Sequence, residues 1–146
     1  MALGQAMDPK YVVEYALASD AILTLESKAT SDHYTYRIRE FPDRMPPLYW
    51  VGILSGPDNT NDYTSLGRIS RGIFVWNLNS TVSREAPSFK AFNWMWERLV
   101  AEEYHAVSTQ CTIYHSGRCS RCRRLLTDPV SVERGLGPVC RKKLGV

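Results

Sequence analysis

"LYWVGILSGPDNTNDYTSLGRISRGIFVW" (Leu48–Trp76) consists of three short apolar runs divided by two groups of turn formers. The runs 48–54, 63–69 and 72–76 are rich in β-branched and aromatic residues and partly alternate with a period of two, as half-buried strands do. "SGPDNTND" (55–62) is dense in Gly, Pro, Asp and Asn, which favour chain reversal. "SR" before Gly72 suits a tight hairpin. Outward from this stretch, "AILTLES" (21–27) and "HYTYRIR" (33–39) read the same way. Between 39 and 48 lies "EFPDRMPP", whose prolines cannot donate to a ladder and mark a loop. Five strands with short connections and no βαβ pattern imply an antiparallel meander.

Two helices flank these strands. Asp8-Pro9 is an N-cap followed by proline at the first helical position, opening a short helix over roughly 8–18. Pro87 opens a second helix of about sixteen residues, ending near Glu103. Phe89, Phe92, Trp96 and Leu99 recur on it at helical spacing and predict a buried stripe, while Trp94 and Met95 fall outside that stripe. The expected fold is α+β: an antiparallel β-meander packed by one long helix, with a small C-terminal zinc-binding module. The expected division places the α+β body at 1–104 and the module at 105–146.

The 146 residues are 44% hydrophobic and 11% aromatic, enough for a core in a chain of one domain with a small appendage. No apolar run reaches the roughly 18 residues of a membrane span, and the first twenty residues lack the basic start and apolar stretch of a signal peptide. The expectation is an intracellular, cytoplasmic protein with no membrane contact, where thiols stay reduced and grouped cysteines hold metal more often than they form disulfides. The formal net charge of +3 hides an asymmetry. Residues 1–110 carry ten Lys/Arg against thirteen Asp/Glu, a net of −3, whereas residues 111–146 carry eight against two, a net of +6. A basic segment beside a mildly acidic body points to an anionic partner, most commonly nucleic acid; a solvated basic surface is the bland alternative.

"YHSGRCSRCRRLLTDPVSVERGLGPVC" (114–140) concentrates the chemistry. Cys119 and Cys122 form a C-x-x-C pair that can present both sulfurs to one ion, and Cys140 follows after seventeen intervening residues, behind "GLGP". Zinc suits such a sulfur and imidazole set. A closed structural site needs a fourth ligand, for which the chain offers His115 or Cys111, four residues apart on one face of a strand entering the knuckle. His115 is favoured because it adjoins the Ser-Gly turn, which leaves Cys111 as a free, half-buried thiol. Asp128 before Pro129 caps a short turn, Gly135 and Gly137 permit positive φ, and "VCRKKL" opens a short terminal helix. Arg118, Arg121, Arg123 and Arg124 crowd the knuckle, with Arg141, Lys142 and Lys143 on that helix. Facing one way, the seven cations make a phosphate-binding patch.

The segment resembles a zinc-finger-like domain of unknown function found in small phage and actinobacterial proteins. The resemblance rests on His115, Gly117, Arg118, Cys119, Cys122, Arg124, Leu126, Thr127, Pro129, Ser131, Gly135, Gly137, Pro138 and Cys140. It covers some 30 residues. It implies His115 as the fourth ligand, since the pattern has histidine at 115 and no cysteine at 111, and it brings no activity with it.

A zinc closed by four protein ligands argues against catalysis at the metal. The H-x-E…P-C-x-x-C order of the nucleobase deaminases is absent, as are G-x-S-x-G, H-E-x-x-H and a Gly-rich phosphate loop. His33 and His105 lack flanking partners, and "GPDNTNDY" reads as a long hairpin turn more readily than as a binding loop. The protein is therefore expected not to be an enzyme. Two functions survive. In the first, the protein is a nucleic-acid-binding accessory whose basic finger meets phosphate while Tyr34, Tyr36 or Trp50 stacks on bases, core packing being the competing role for those rings. In the second, it is a phage-encoded inhibitor or adaptor that binds a host protein complex, in the host cytoplasm.

Overall fold

The computed structural model describes residues 4–146. A seven-stranded antiparallel sheet runs in the order β1-β7-β2-β3-β4-β5-β6, with β1 Gln5–Met7, β2 Asp20–Ser27, β3 His33–Glu40, β4 Leu48–Leu54, β5 Tyr63–Ser70, β6 Ile73–Trp76 and β7 Cys111–His115. The strands from β2 to β6 form the meander in sequence order. The last turn of it, Arg71-Gly72, has φ of 53° and 78°, so both central residues are left-handed, as a two-residue hairpin whose twist matches its strands requires.

The sequence missed that β7 joins this sheet. The strand lies between β1 and β2, pairing Ile113 with both Met7 and Leu25. The expected division at residue 104 therefore cuts through a continuous hydrogen-bonded layer. β1 was not expected either: three residues carry too little pattern to read as a strand. Residues 1–3 of the expected body lie outside the described residues.

Five helices form where the sequence predicted two in the body and a short one at the C-terminal end, and none of them is long. These are α1 Val12–Ala16, preceded by a 3₁₀ turn at Pro9–Tyr11, α2 Pro87–Val100, α3 Tyr104–Gln110, α4 Pro129–Arg134 and α5 Pro138–Leu144. The expected start of α2 at Pro87 holds. Its end comes at Val100 because Glu102 turns left-handed at φ 61° and breaks the chain direction before α3.

Alternation along the strands fixes which face is buried. Leu23, Leu25, Tyr36, Ile38, Val51 and Ile69 form one core with Phe89, Phe92, Met95, Trp96 and Leu99 of α2. Phe92 is the pivot: its ring lies 4.9 Å from Tyr36 and 4.7 Å from Phe74, and stacks on Trp96 at 5.9 Å. Trp96 Nε1 donates to Gly72 O at 3.0 Å, which ties the helix to the hairpin turn. The opposite face carries Thr24, Thr35, Arg37, Arg39, Arg68 and the half-buried Trp50. The Trp50 ring covers Gly52, where an added Cβ would come within 2.2 Å of it. Of the three rings considered for base stacking, Tyr36 is fully buried, with its hydroxyl donating to Ser88 O, and Tyr34 packs against the core. Core packing claims both.

Candidate metal centre

The chain turns out of the sheet after His115, and local hydrogen bonds build the knuckle. Cys119 N donates to Arg124 O at 2.9 Å, Arg123 N to Cys119 O at 2.8 Å, and Arg118 and Leu125 form an antiparallel bridge. Arg123 closes the turn with φ 68°. Asp128 caps α4 by accepting from Ser131 N at 3.0 Å, and Gly135 ends it at φ 71°. Gly135 sits directly against Tyr15, so that a Cβ there would come within 2.4 Å of the ring. Gly137, by contrast, is extended at φ −69°, not left-handed as expected. It serves as the N-cap of α5 and carries the chain back to Cys140 on that helix.

Cys119, Cys122 and Cys140 converge, their sulfurs all within 4.8 Å of one another, in a group able to bind a metal ion. Thiolates on one tetrahedral ion stand about 3.8 Å apart, so a small contraction of the trio suffices. Burial pushes the Cys119 thiol up, but the N–H groups of Gly137, Cys122 and Arg121 and the Cys140 thiol are directed at its sulfur and hold it lower, at about 7. The hydrogen bonds around Cys119 therefore favour its thiolate form, which fits a thiophilic metal. Burial and the neighbouring thiols raise Cys140, against the Arg121 guanidinium, whose Nη1 lies 3.7 Å from the Cys140 sulfur. Cys119 and Cys140 are buried and Cys122 is exposed, so the trio opens to solvent on the Cys122 side.

His115 does not join the three cysteines. It is 1% exposed on β7, with Nε2 against Val132 O at 2.5 Å and Nδ1 accepting from Gly117 N at 2.9 Å. Both nitrogens are thus engaged by backbone, as a neutral ring protonated at Nε2 allows, and burial lowers its pKa. Cys111 stands elsewhere. Its thiol donates to Val107 O at 3.3 Å beside a groove lined by Tyr34, Trp94 and Arg98, and burial raises it to about 11. Among the described residues no imidazole, carboxylate or fourth thiol completes the trio. The four-ligand closure expected from the spacing is not formed.

The seven expected anion-binding cations divide. Arg118, Arg124, Lys142 and Lys143 are exposed. Arg121 is directed at the Cys140 sulfur, Arg123 donates to Asp20 O at 3.3 Å, and Arg141 donates to Ser131 Oγ at 2.9 Å and Leu136 O at 2.7 Å. These three brace the module. Arg134, which the sequence did not single out, locks the module to the body. It pairs with Glu14 at 2.7 Å and lies over the Tyr11 ring at 4.4 Å. Only its distance in sequence from Glu14 hid it.

Between the module and the polar face of the sheet runs a groove of about 460 Å³, lined in part by Thr35, Asn59, Thr60, Arg118 and Arg123. Among the described residues no carboxylate lines it. The 55–62 loop beside it is satisfied from within: Asp58 accepts from Thr60 N at 2.8 Å and Asn61 Nδ2 at 2.9 Å, and Asp62 accepts from Asp58 N. Those bonds support the turn reading.

Against known proteins, a model described as a family of unknown function (DUF6011) matches residues 112–145, from within β7 to the end of the module. No curated protein and no solved structure matches the chain.

Proposed function

We propose that the protein is a non-enzymatic, zinc-stabilised accessory protein that binds nucleic acid through its basic module. The observation that carries the reading is charge without compensation. Among the described residues none of the seven cations at 118, 121, 123, 124, 141, 142 and 143 enters an ion pair, whereas Arg37, Arg134 and Lys90 all do. Exposed and unpaired guanidinium and ammonium groups are what phosphate contacts use, and Arg118 adds the fork that grips two phosphate oxygens. Arg118 and Arg123 of the module line the groove against the sheet, and Trp50, half-buried on that polar face of the sheet, is the ring left for stacking. Zinc, held by Cys119, Cys122 and Cys140, supplies rigidity to a segment whose own apolar core is only Cys119, Leu136 and Cys140, packed on Ala18 of the body with Leu126 against it. Helices add nothing against a water-exposed role: no described helix is long and apolar enough to cross a membrane.

Contact with about four to six phosphates lowers affinity by roughly 10² to 10³ between about 50 and 200 mM salt. The test is binding of the zinc-loaded chain to mixed-sequence single- and double-stranded DNA and RNA at both salts. Replacing Arg118, Arg124, Lys142 and Lys143 by Ala together is expected to abolish binding while the fold stays intact, because these four are exposed and only Arg118 holds a protein acceptor, Arg123 O at 3.2 Å. Absence of binding at the lower salt sinks the reading.

One observation favours a protein partner, such as the host complex that a phage-encoded inhibitor or adaptor would engage. Leu125, Val130 and Val139 of the module are 63%, 53% and 62% exposed, apolar surface that phosphate contacts do not need. That reading predicts capture of a partner that survives both nuclease and about 200 mM salt.

A further inference from the structure

Resting on the metal reading above, we propose that the ion held by this protein keeps one coordination position open on the Cys122 side, and that this position takes a thiolate from another molecule. Three observations lead there. The sulfurs of Cys119, Cys122 and Cys140 are the only metal-competent group of three or more among the described residues, and they are three, not four. The two residues that the sequence offered as a fourth donor are both committed elsewhere, and no carboxylate joins the trio among the described residues. His115 spends its nitrogens on Val132 O and Gly117 N while buried on β7, and Cys111 donates to Val107 O beside α3. Finally, the trio is sealed on two sides and exposed on the third. Cys119 is fully buried and Cys140 nearly so, whereas Cys122 faces solvent.

The charge surrounding this opening selects the incoming donor. A divalent ion with three thiolates carries one net negative charge, and it sits in a segment of net +6 with Arg121 on the Cys140 sulfur and Arg118 and Arg124 exposed nearby in the chain. A fourth, anionic donor raises the site's charge to −2 inside a positive surround, which neutral imidazole or water does not exploit. Soft sulfur also matches the three donors already present. In the free chain solvent fills the position. Binding exchanges that water for the sulfur of the incoming thiol, whose proton passes to solvent, so no oxidant or reductant is involved.

Cobalt(II) bound to the full chain gives the readout, since its sulfur-to-metal charge-transfer intensity counts thiolates. The wild type should show the intensity of three thiolates, and a small monothiol at millimolar concentration should raise it by about a third, the ratio of four donors to three. Imidazole should do so far less effectively. A short peptide with one cysteine beside acidic residues distinguishes a side-chain donor from a free small thiol, and the acid-flanked peptide should bind more tightly. His115→Gln and Cys111→Ser should leave both the spectrum and zinc affinity unchanged, within about threefold, whereas Cys122→Ser should weaken zinc by well over the tenfold that even outer-shell changes cost. A spectrum that ignores added thiol and changes in His115→Gln or Cys111→Ser overturns the inference, because the site then closes from within. Failure to take up cobalt or zinc at all removes the metal reading and this inference together. Thiol-responsive cobalt without nucleic-acid binding removes only the accessory function.

Discussion

Asp20 joins the sheet to the C-terminal cysteine module through every polar group it has. Its carboxylate accepts two bonds from Arg37, at 2.9 and 2.8 Å, its N–H donates to Ser120 O at 2.7 Å and its carbonyl accepts from Arg123. Burial pushes this carboxyl up, but the Arg37 hydrogen bonds and charge, with Arg123 and Arg39 behind them, hold it below its ordinary 3.8. A folded-state pKa below the unfolded one stabilises the fold fully at pH above that ordinary value, and the contribution disappears as pH falls through the folded pKa. Urea midpoints for the wild type and Asp20→Asn should therefore differ most at neutral pH and converge as the pH falls well below the ordinary 3.8. A gap that stays constant with pH removes the charge from the explanation. His115 teaches the complementary lesson at this scale. Its residue type and spacing marked it for a metal, yet its burial on β7 and two backbone partners were decided by the register with β1 and β2, which no local spacing reveals.

Among the elements, α2 was the most legible, because its positions 89, 92, 96 and 99 repeat at the helical period and all are buried. Trp96 carries the largest share of that stripe, with its ring stacked on Phe92 and its Nε1–H bonded to the hairpin turn. Trp96→Ala is expected to cost about 3–5 kcal/mol, measured by denaturant unfolding, while Trp94→Ala costs far less. Trp94 is only half-buried, covered by the Arg98 guanidinium at 5.0 Å. The meander was legible for the same reason: alternation and turn chemistry are local. What stayed hidden was pairing between strands distant in sequence. The 111–115 stretch was read as a strand approaching the knuckle, but nothing in "CTIYH" tells that Met7 and Leu25 flank its Ile113. The C-x-x-C…C convergence was legible because the tight knuckle and the Gly-Pro return are built from nearby residues. The division of the arginines into braces and exposed groups was not, since it depends on the carbonyls of 20 and 136 and the Ser131 hydroxyl ending up within reach.

For the molecule as a whole, the unequal cores set the order of failure. The sheet and α2 share an extended apolar core, whereas the module contributes only Cys119, Leu136 and Cys140 to a small second cluster completed by Ala18 of the body. Metal removal should therefore open the module and spare the body. Under a chelator, the amides of Cys119, Arg123 and Leu126 should lose hydrogen-exchange protection while those of Ile38 and Val51 keep it. Equal loss in both regions would mean that the two fail as one cooperative unit.

The place of β7 also sets a timetable for biosynthesis. Gln5 pairs with His115, 110 positions later, and β7 stands between β1 and β2, so the first strand made has no hydrogen-bonded neighbour until the seventh leaves the ribosome. At about 5–20 residues per second, the 35 residues that separate Trp76 from Cys111 take roughly two to seven seconds to translate. Through that interval the meander can already be complete, yet the Leu23–Leu25 edge of β2 lies bare and ready to pair with any extended chain that reaches it first.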